Sequence, residues 1–256
     1  MSDSRYKNAL VTGGARRIGG AISRYLAAEG WGVAVHFQES AEEADSLVND
    51  IQASGGNAVA IQAELSQDSV PEKLINEATN KLGVLTCLIN NASVFESDTI
   101  ETATPESWDI HLKTNLQAPF FLAQRFLEIL PEGVEGNIVN LLDQRVWNLT
   151  PYFSSYTVSK SGLWTLTQSL ALALAPRIRV NGIGPGPALP SPRQSPEQFA
   201  EQCRKTPLSR GTSPEEICGA VRFILSSPSM TGQMIALDGG EHLGWTQPSD
   251  DDVPVE

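Results

Sequence analysis

Short apolar runs alternate with amphipathic stretches along the chain, as expected of repeated strand–helix units. Seven of these runs predict strands, and they read KNALVT, WGVAVHF, NAVAIQAEL, LTCLINNA, GNIVNLLD, RIRVNGIGPG and QMIALDGG. Between the strands, apolar residues recur at helical spacing. After the first strand they are Ile18, Ile22, Tyr25 and Leu26. The pattern therefore predicts a βαβ protein.

The remaining segments predict further helices and one irregular region. Helical spacing is seen in AEEADSLVNDIQASGG, in SVPEKLINEATNKLG and in PEEICGAVRFILSS. Two longer helices are predicted over 105–130, bent or interrupted near Pro119, and over 152–175. Residues 187–213 are rich in Pro, Ser and Gln, with one short helical segment in PEQFAEQCRK. Such an irregular stretch inside a compact domain is typical of a lid over a ligand site.

Strands linked by crossover helices predict a parallel sheet covered on both faces. We expect one α/β domain over 1–245, doubly wound and Rossmann-type, with seven parallel strands. Ligands of such sheets bind at the carboxyl ends of the strands. Residues 246–256 are predicted to be an acidic, disordered tail.

Composition narrows the choice of partners. The formal net charge of −12 disfavours bulk binding to nucleic acid or to an anionic membrane surface. The sequence starts with no charged-then-apolar leader, and its longest apolar run, LWTLTQSLALALA, is too short to span a bilayer. Three scattered cysteines without CxxC spacing indicate neither a disulfide framework nor a zinc site. We therefore predict a cytoplasmic protein with no bound metal.

The turn after the first strand, TGGARRIGG, suits a nucleotide phosphate. Gly13, Gly14 and Gly19 permit close approach of the backbone, and the following helix N-terminus favours negative charge. Arg16 and Arg17 add two cations that would stabilise phosphate. The turn alone is a weak signal, since a tight turn before a helix has the same appearance.

The end of the second strand, VAVHFQES, bears on which dinucleotide binds. An acid in this region accepts the ribose hydroxyls of NAD and repels the extra phosphate of NADP. His36 and Phe37 occupy that region instead, and Ser40 could donate to a phosphate. Glu39 would instead favour NAD if its carboxylate faces the ribose. The balance favours NADP.

Tyr156 and Lys160 lie four residues apart on one predicted helix, so they share a face. A tyrosine normally titrates near ~10, and a neighbouring ammonium favours its phenolate. The pair could therefore pass a proton near neutral pH. In isolation, YTVSK could equally be a helix surface.

The motifs TGGARRIG, NNAS, KTN, YTVSK and GPGP resemble those of the short-chain dehydrogenase/reductase family in order and spacing. The resemblance covers almost the whole chain. It implies a catalytic set of Asn115, Asp143, Tyr156 and Lys160, with NADPH as hydride donor. Most members have a serine where this chain has Asp143.

An ionised aspartate only accepts hydrogen bonds, so beside a ketone it would repel the oxygen as negative charge develops. A substrate with N–H groups would instead favour the carboxylate. Reduction of a carbon–nitrogen double bond also needs a proton at nitrogen, which Asp143 and Tyr156 together could relay. The pteridine ring has both features.

Within the family, GARRIG, NNASVF, the Asp-for-Ser exchange and NGIGPG resemble pteridine reductases and dihydromonapterin reductases. This resemblance implies substrate contacts from Arg17, Ser93, Phe95, Asp143 and Tyr156, and a homotetramer. The cofactor contacts expected from the turn, the sheet edge and the resemblance are Gly13, Arg16, Arg17, Ile18, Gly19, His36, Phe37, Ser40, Glu64, Leu65, Asn91, Ala92, Ser93, Tyr156, Lys160, Pro185 and Gly186.

Two other functions remain open on the sequence. The protein could reduce another carbonyl or imine substrate and use Asp143 differently. It could also bind NADP without catalysis, because Asp143 removes the usual donor to the substrate oxygen. Tyr156, Lys160 and Asn115 argue against loss of catalysis.

Overall fold

The computed structural model describes residues 6–191 and 193–244, and the predicted tail at 246–256 lies outside them. Its centre is one seven-stranded sheet in which every described strand pair is parallel. The strands are β1 (Asn8–Val11), β2 (Gly32–Phe37), β3 (Asn57–Gln62), β4 (Cys87–Asn90), β5 (Gly136–Leu141), β6 (Ile178–Pro185) and β7 (Met234–Leu237). All seven predicted strands are confirmed, each shorter than its apolar run.

The sheet order β3-β2-β1-β4-β5-β6-β7 makes the fold doubly wound. The chain runs outward from β1 to β3, returns to pair β4 with β1, and then continues to the other edge. A crevice forms at such a reversal, beyond the carboxyl ends of the central strands. This position is where the first turn and the fourth strand meet.

Helices cover both faces of the sheet. They are α1 (Arg17–Ala28), α2 (Ala41–Ala53), α3 (Val70–Leu82), α4 (Pro105–Leu112), α5 (Ala118–Ile129), α6 (Ser154–Leu174), α7 (Pro196–Lys205) and α8 (Pro214–Ser226). One apolar cluster packs beneath α1, α2 and α8, and a second beneath α3, α5 and α6. Successive strand side chains alternate between these clusters, as Ala9 and Leu10 do, which explains the unbroken apolar runs.

The helix predicted over 105–130 is interrupted, though not by Pro119. One turn of π-helix, Lys113–Gln117, separates α4 from α5. Pro119 lies in the first turn of α5, where a missing N–H is tolerated. Such π-turns often mark functional positions, and this one contains Asn115.

The irregular region at 187–213 contains one helix, α7, with the predicted bounds. Ser195 caps α7 through a reciprocal capping box with Gln198, so the helix starts at a well-defined residue. Among the described helices, none combines the length and the apolar character that crossing a bilayer requires.

Candidate active site

The first turn is tight because two of its glycines have no room for a side chain. Gly13 has a φ of +58°, in the left-handed region that favours glycine. A Cβ on Gly19 would lie 2.0 Å from the Gly13 carbonyl oxygen. Replacing either glycine would force the backbone away from the crevice. The turn predicted from TGGARRIGG is therefore a close-packed loop.

Neutral side chains fix this turn to β4. The Asn91 side-chain amide donates to the carbonyls of Thr12 (2.9 Å) and Gly13 (3.0 Å). Thr12 Oγ1 accepts the backbone N–H groups of Asn91 (2.9 Å) and Ala92 (3.0 Å). These bonds join the segments on either side of the sheet reversal. Asn91 and Ala92 thus shape the crevice wall as well as lying beside it.

His36 is buried, and its ring bonds to backbone on both sides. Gly13 N–H donates to Nδ1 (3.0 Å), so Nε2 carries the proton and donates to the Ala63 carbonyl (3.2 Å). Burial lowers the pKa of His36 to about 4, although its bond to Ala63 acts in the opposite direction. The imidazole is neutral at pH 7 and holds the first turn in place.

The other residues predicted for the adenosine end lie near β2 and β3. Phe37 and Leu65 are buried, while Ser40 precedes α2 and is half-buried. The Glu64 carboxylate accepts hydrogen bonds from the Gln38 side chain and from Ser66, which hold it at this edge. Glu39 is exposed beside them.

The N-terminus of α1 suits a nucleotide phosphate. Arg16, its N-cap residue, makes no side-chain cap hydrogen bond, and no acid lies in the first helical turn. Backbone N–H groups of that turn are thereby available to an anion. Arg16 and Arg17 are exposed at the same point. The residues present therefore fit the dinucleotide that the turn predicts.

Arg17 also reaches the irregular region at 187–213. Its guanidinium donates to the carbonyls of Pro190 (3.0 Å) and Leu189 (3.3 Å). Although Arg17 is largely exposed, partial desolvation of its guanidinium, helped by the positive charge of Arg16, lowers its pKa. Its φ of +52° places a non-glycine residue in the left-handed region, a conformation that often marks a functional position. The side chain thus connects the glycine-rich first turn to the start of 187–213.

Asp143 and Tyr156 are joined directly. Tyr156 Oη donates to Asp143 Oδ2 at 2.8 Å. The Arg145 backbone N–H donates to Asp143 Oδ1 (2.8 Å), and its guanidinium lies 3.3 Å from Oδ2. The side chains of Asp143 and Arg145 are 13% and 11% exposed, so little water weakens their ion pair. The predicted acid–tyrosine pair is present with a cation beside it.

Lys160 lies one helical turn beyond Tyr156 and is buried. Its ammonium donates to the Leu141 carbonyl (2.8 Å) and lies 5.8 Å from the centre of the Tyr156 ring. Burial lowers the pKa of Lys160 to about 8, while the negative charge of Asp143 opposes that shift. The ammonium is therefore charged at pH 7 and close to its titration midpoint.

Asn115 acts on the backbone. Its side chain accepts from Val94 N–H (2.8 Å) and donates to the Val94 carbonyl (2.9 Å) and to Ser159 Oγ (3.0 Å). These bonds tie the π-turn to the segment after NNAS and to α6. In the described structure Asn115 supports the residues around Tyr156 without a direct bond to Tyr156 or Lys160.

Phe95 packs against aromatic neighbours. Its ring stacks on Phe153 with centroids 4.8 Å apart and meets the Tyr156 ring edge-on at 4.5 Å. The Arg145 guanidinium lies 5.6 Å from Phe95 and 5.2 Å from Phe153. The predicted ring-binding residue is therefore anchored beside the proton-transfer pair.

A cavity of about 280 Å³ lies between the sheet edge and the irregular region at 187–213. Both the sheet edge and residues 187–213 contribute polar and apolar groups to its lining. The predicted site residues among its lining are Arg17, Ile18, Asn91, Ser93, Phe95, Asp143, Tyr156, Lys160, Pro185 and Gly186. Those placed elsewhere are Gly13, Arg16, Gly19, His36, Phe37, Ser40, Glu64, Leu65, Ala92 and Asn115, which support the turn or lie toward β2 and β3.

Three residues of this region were not anticipated from the sequence. Thr12 is a polar residue at the end of an apolar strand, a signal that could have revealed it. Arg145 follows Asp143 by two residues and could have been found as its partner. Gln144 lines the cavity next to Asp143, and no local pattern indicated its burial.

A parallel sheet with a glycine turn at its reversal and a Tyr–Lys pair at its edge defines a class of oxidoreductase. The chain belongs to the short chain dehydrogenase family, whose model matches residues 7–199. An oxidoreductase of Methylorubrum extorquens is 34% identical over 248 residues, covering 94% of this chain and 99% of the relative. The 3-oxoacyl-[acyl-carrier-protein] reductase FabG of Staphylococcus aureus is 32% identical, covering 93% and 98% respectively.

Solved structures add a more similar relative. FolM alternative dihydrofolate reductase 1 from Brucella suis, in complex with NADP, is 48% identical with a TM-score of 0.91. That comparison covers 94% of this chain and 97% of the FolM chain. A blue fluorescent protein from a metagenomic library, in complex with NADPH, is 31% identical with a TM-score of 0.84, covering 91% and 97%. The doubly wound fold predicted from the sequence is confirmed.

Proposed function

We propose that this protein is an NADPH-dependent reductase of a pteridine, of the dihydropterin-to-tetrahydropterin type. The observation that carries the proposal is the hydrogen bond from Tyr156 Oη to Asp143 Oδ2 at 2.8 Å, beside the cavity. It joins a proton donor to an acceptor that carries negative charge. Bound NADPH supplies the hydride.

Asp143 sets the substrate class. A ketone oxygen gains negative charge during reduction and is disfavoured beside a carboxylate. A carboxylate has about four acceptor positions, and Tyr156 and Arg145 use three of those on Asp143. One position remains for an N–H of the substrate, which suits the pteridine ring edge.

Tyr156 and Lys160 deliver the proton. Tyr156 gives its phenolic proton to a ring nitrogen, and the nearby Lys160 ammonium stabilises the phenolate that forms. Asp143 can then pass a proton taken up from solvent to the Tyr156 phenolate through their shared hydrogen bond, which regenerates both groups. Phe95, held by Phe153, presents an aromatic surface for a flat ring.

The cofactor assignment uses the adenosine end. Arg16, with the free N–H groups at the start of α1, is placed for phosphate, and Ser40 precedes α2 nearby. The FolM structures from Brucella suis and Brucella canis contain NADP, which supports the same cofactor here. Exposed Glu39 reduces the preference for NADPH over NADH by repelling the extra phosphate.

A second candidate is reduction of a carbonyl substrate, favoured by the 32% identity to FabG. FolM is more similar at 48% identity, and its name concerns dihydrofolate, which contains a pteridine ring. The bond between Asp143 and Tyr156 favours the pteridine substrate on chemical grounds. We therefore rank carbonyl reduction second.

We also propose a cytoplasmic homotetramer. Trp108 on α4, Phe120 and Phe121 on α5, and Val158 on α6 are partly exposed apolar side chains, and both α4 and α5 contact α6. Apolar exposure of this kind is typical of subunit interfaces. Size-exclusion chromatography with light scattering would give about four times 27.6 kDa.

The test is NADPH oxidation by the purified protein with a dihydropterin, beside a panel of simple ketones and 3-oxoacyl thioesters. We expect turnover with the dihydropterin and at least tenfold lower kcat/KM with each carbonyl compound. Turnover with carbonyl compounds alone would establish the second candidate. Tight NADPH binding without turnover of any of them would contradict both.

A further inference from the structure

Behind Tyr156, outside the cavity lining, three polar side chains form a buried chain. Asp98, Ser155 and His111 are 2%, 0% and 0% exposed. Ser155 Oγ donates to Asp98 Oδ2, and His111 Nδ1 lies 2.7 Å from Ser155 Oγ. No described salt bridge includes Asp98. This hydrogen-bonded chain therefore contains a buried carboxylate, that of Asp98, which accepts its hydrogen bonds from neutral groups.

The donor and the acceptor can be assigned in both hydrogen bonds, between His111 and Ser155 and between Ser155 and Asp98. Glu96 N–H donates to His111 Nε2 at 3.0 Å, so Nε2 is an acceptor and the ring proton is on Nδ1. His111 therefore donates to Ser155, and Ser155 donates to Asp98. Burial lowers the pKa of His111, in keeping with a neutral ring.

This order of bonds excludes a hydrolytic role for the three residues. In a nucleophilic triad the serine proton passes to the histidine, which is oriented by the acid. Here Ser155 donates a hydrogen bond to Asp98 and accepts one from His111. Ser155 is also inaccessible to a substrate. The three residues are therefore suited to stabilising the local backbone structure.

The backbone that these residues stabilise is the first turn of α6. Phe153 precedes the helix with a φ of +57° and makes no side-chain cap bond. Asp98 supplies the missing acceptors: its Oδ1 accepts Ser155 N–H (3.1 Å), and its carbonyl accepts Ser154 N–H (3.3 Å). A carboxylate at this position is also favoured by the helix dipole. Tyr156 is the next residue.

The His111 end of this hydrogen-bonded chain holds the segment that carries Phe95. Glu96, whose N–H is bound by His111, follows Phe95 directly. The His111 ring also meets the Tyr156 ring edge-on at 6.1 Å. One buried chain is therefore attached both to the start of α6, next to Tyr156, and to the segment that carries Phe95.

We infer that Asp98, Ser155 and His111 form a positioning unit that sets Tyr156, the proton donor, against Phe95. The inference rests on the proposed reductase function for its kinetic consequence. Its structural consequence, an ordered first turn of α6, is independent of the substrate. These residues are positioning residues, because none of them lines the cavity among the described residues.

The main test is Asp98→Asn, which keeps the side-chain shape. The asparagine oxygen can accept Ser155 N–H only if the asparagine NH₂ group faces Ser155 Oγ. Ser155 must then donate to His111 Nδ1, so the ring proton moves to His111 Nε2, where it opposes Glu96 N–H. We expect kcat to fall on the order of 10²-fold, as small displacements of a reacting group do. The NADPH Kd should stay within twofold. Amide hydrogen exchange at 154–157 should accelerate at least tenfold.

Thr167→Val is the matched control. Thr167 is equally buried on α6, accepts from Asn140 (2.8 Å) and donates to the Leu163 carbonyl (2.7 Å), three turns from Ser155. This variant should match Asp98→Asn in lost thermal stability and keep kcat within threefold. Equal kcat in the two variants, with unchanged exchange at 154–157, would overturn the inference.

Two further comparisons keep the outcome interpretable. Should Asp98→Asn fail to fold, Ser155→Ala retains the backbone cap and is expected to lower kcat about tenfold, with faster exchange at 154–157. Normal values of both would refute the unit. If the wild-type protein reduces neither pterins nor carbonyl compounds, the proposed function fails, and the exchange rates alone decide the positioning inference.

Discussion

The two sides of the crevice are built from different chemistry. On the cofactor side, neutral groups hold the backbone: Thr12, Asn91 and a neutral His36 fix the first turn. On the side that we propose for the substrate, the ionisable groups of Asp143 and Lys160 are present, and Arg145 is beside them. Neutral hydrogen bonds specify one geometry over a wide pH range, whereas buried charges respond to protons. The cofactor side is therefore suited to binding and the substrate side to proton transfer.

The largest effect should come from removing the proton donor. Tyr156→Phe keeps the ring contact with Phe95 and deletes the hydroxyl that bonds Asp143. We expect kcat to fall about 10³-fold, within the usual contribution of general acid catalysis, with the NADPH Kd within twofold. Stopped-flow NADPH oxidation and fluorescence titration measure the two quantities. Unchanged kcat would remove Tyr156 from its assigned role.

The next effect concerns stability on the cofactor side. His36 has a pKa of about 4 in the folded protein and an ordinary value of 6.5 when unfolded. The unfolded chain therefore binds the extra proton between these values, and stability falls as pH drops from 6.5 toward 4. The loss approaches about 3 kcal/mol. His36→Gln should flatten this part of the pH dependence in urea unfolding, and an unaltered slope would contradict the account.

A smaller effect is expected on the substrate side at alkaline pH. The Lys160 ammonium is lost as pH rises through about 8, so kcat should fall roughly tenfold per pH unit above that value. Asp143→Asn removes the charge that raises the pKa of Lys160, and the alkaline limb should move to lower pH. A pH–kcat profile of both proteins checks the direction. Movement to higher pH would be inconsistent with this electrostatic explanation.

The smallest effect should come from Glu39 at the adenosine end. Its side chain is exposed, so repulsion of the NADP phosphate is weakened by water. Glu39→Gln should raise the preference for NADPH over NADH by about two- to fivefold in kcat/KM. Gln38→Ala, one residue earlier in the chain, serves as a control without a charge change. A shift toward NADH in Glu39→Gln would place the carboxylate away from the phosphate.

The fold could be predicted because apolar periodicity is a local property. All seven strands and the bounds of α7 followed from spacing and caps. The pairing of Asp143 with Tyr156 was inferable because a resemblance placed both at the same edge. The interruption near Asn115 was expected four residues later, at Pro119, since proline is the visible breaker while a π-turn has no local signature.

What escaped prediction depends on contacts between distant residues. The inward position of His36 depends on Gly13 and Ala63, which are 23 and 27 residues away. The bond between Asp98 and Ser155 spans 57 residues. Nothing in the neighbouring sequence identifies such partners, because the fold alone brings them together.

The most direct test of the central claim is the substrate preference of Asp143→Ser, which introduces the serine that the family resemblance implies at this position. The quantity to measure is kcat/KM for a dihydropterin relative to that for a simple ketone, with NADPH binding as the control. We predict that dihydropterin reduction falls about 10²-fold while the ratio moves toward the ketone and the NADPH Kd stays within twofold. Undiminished dihydropterin reduction by Asp143→Ser would contradict the role given to the carboxylate.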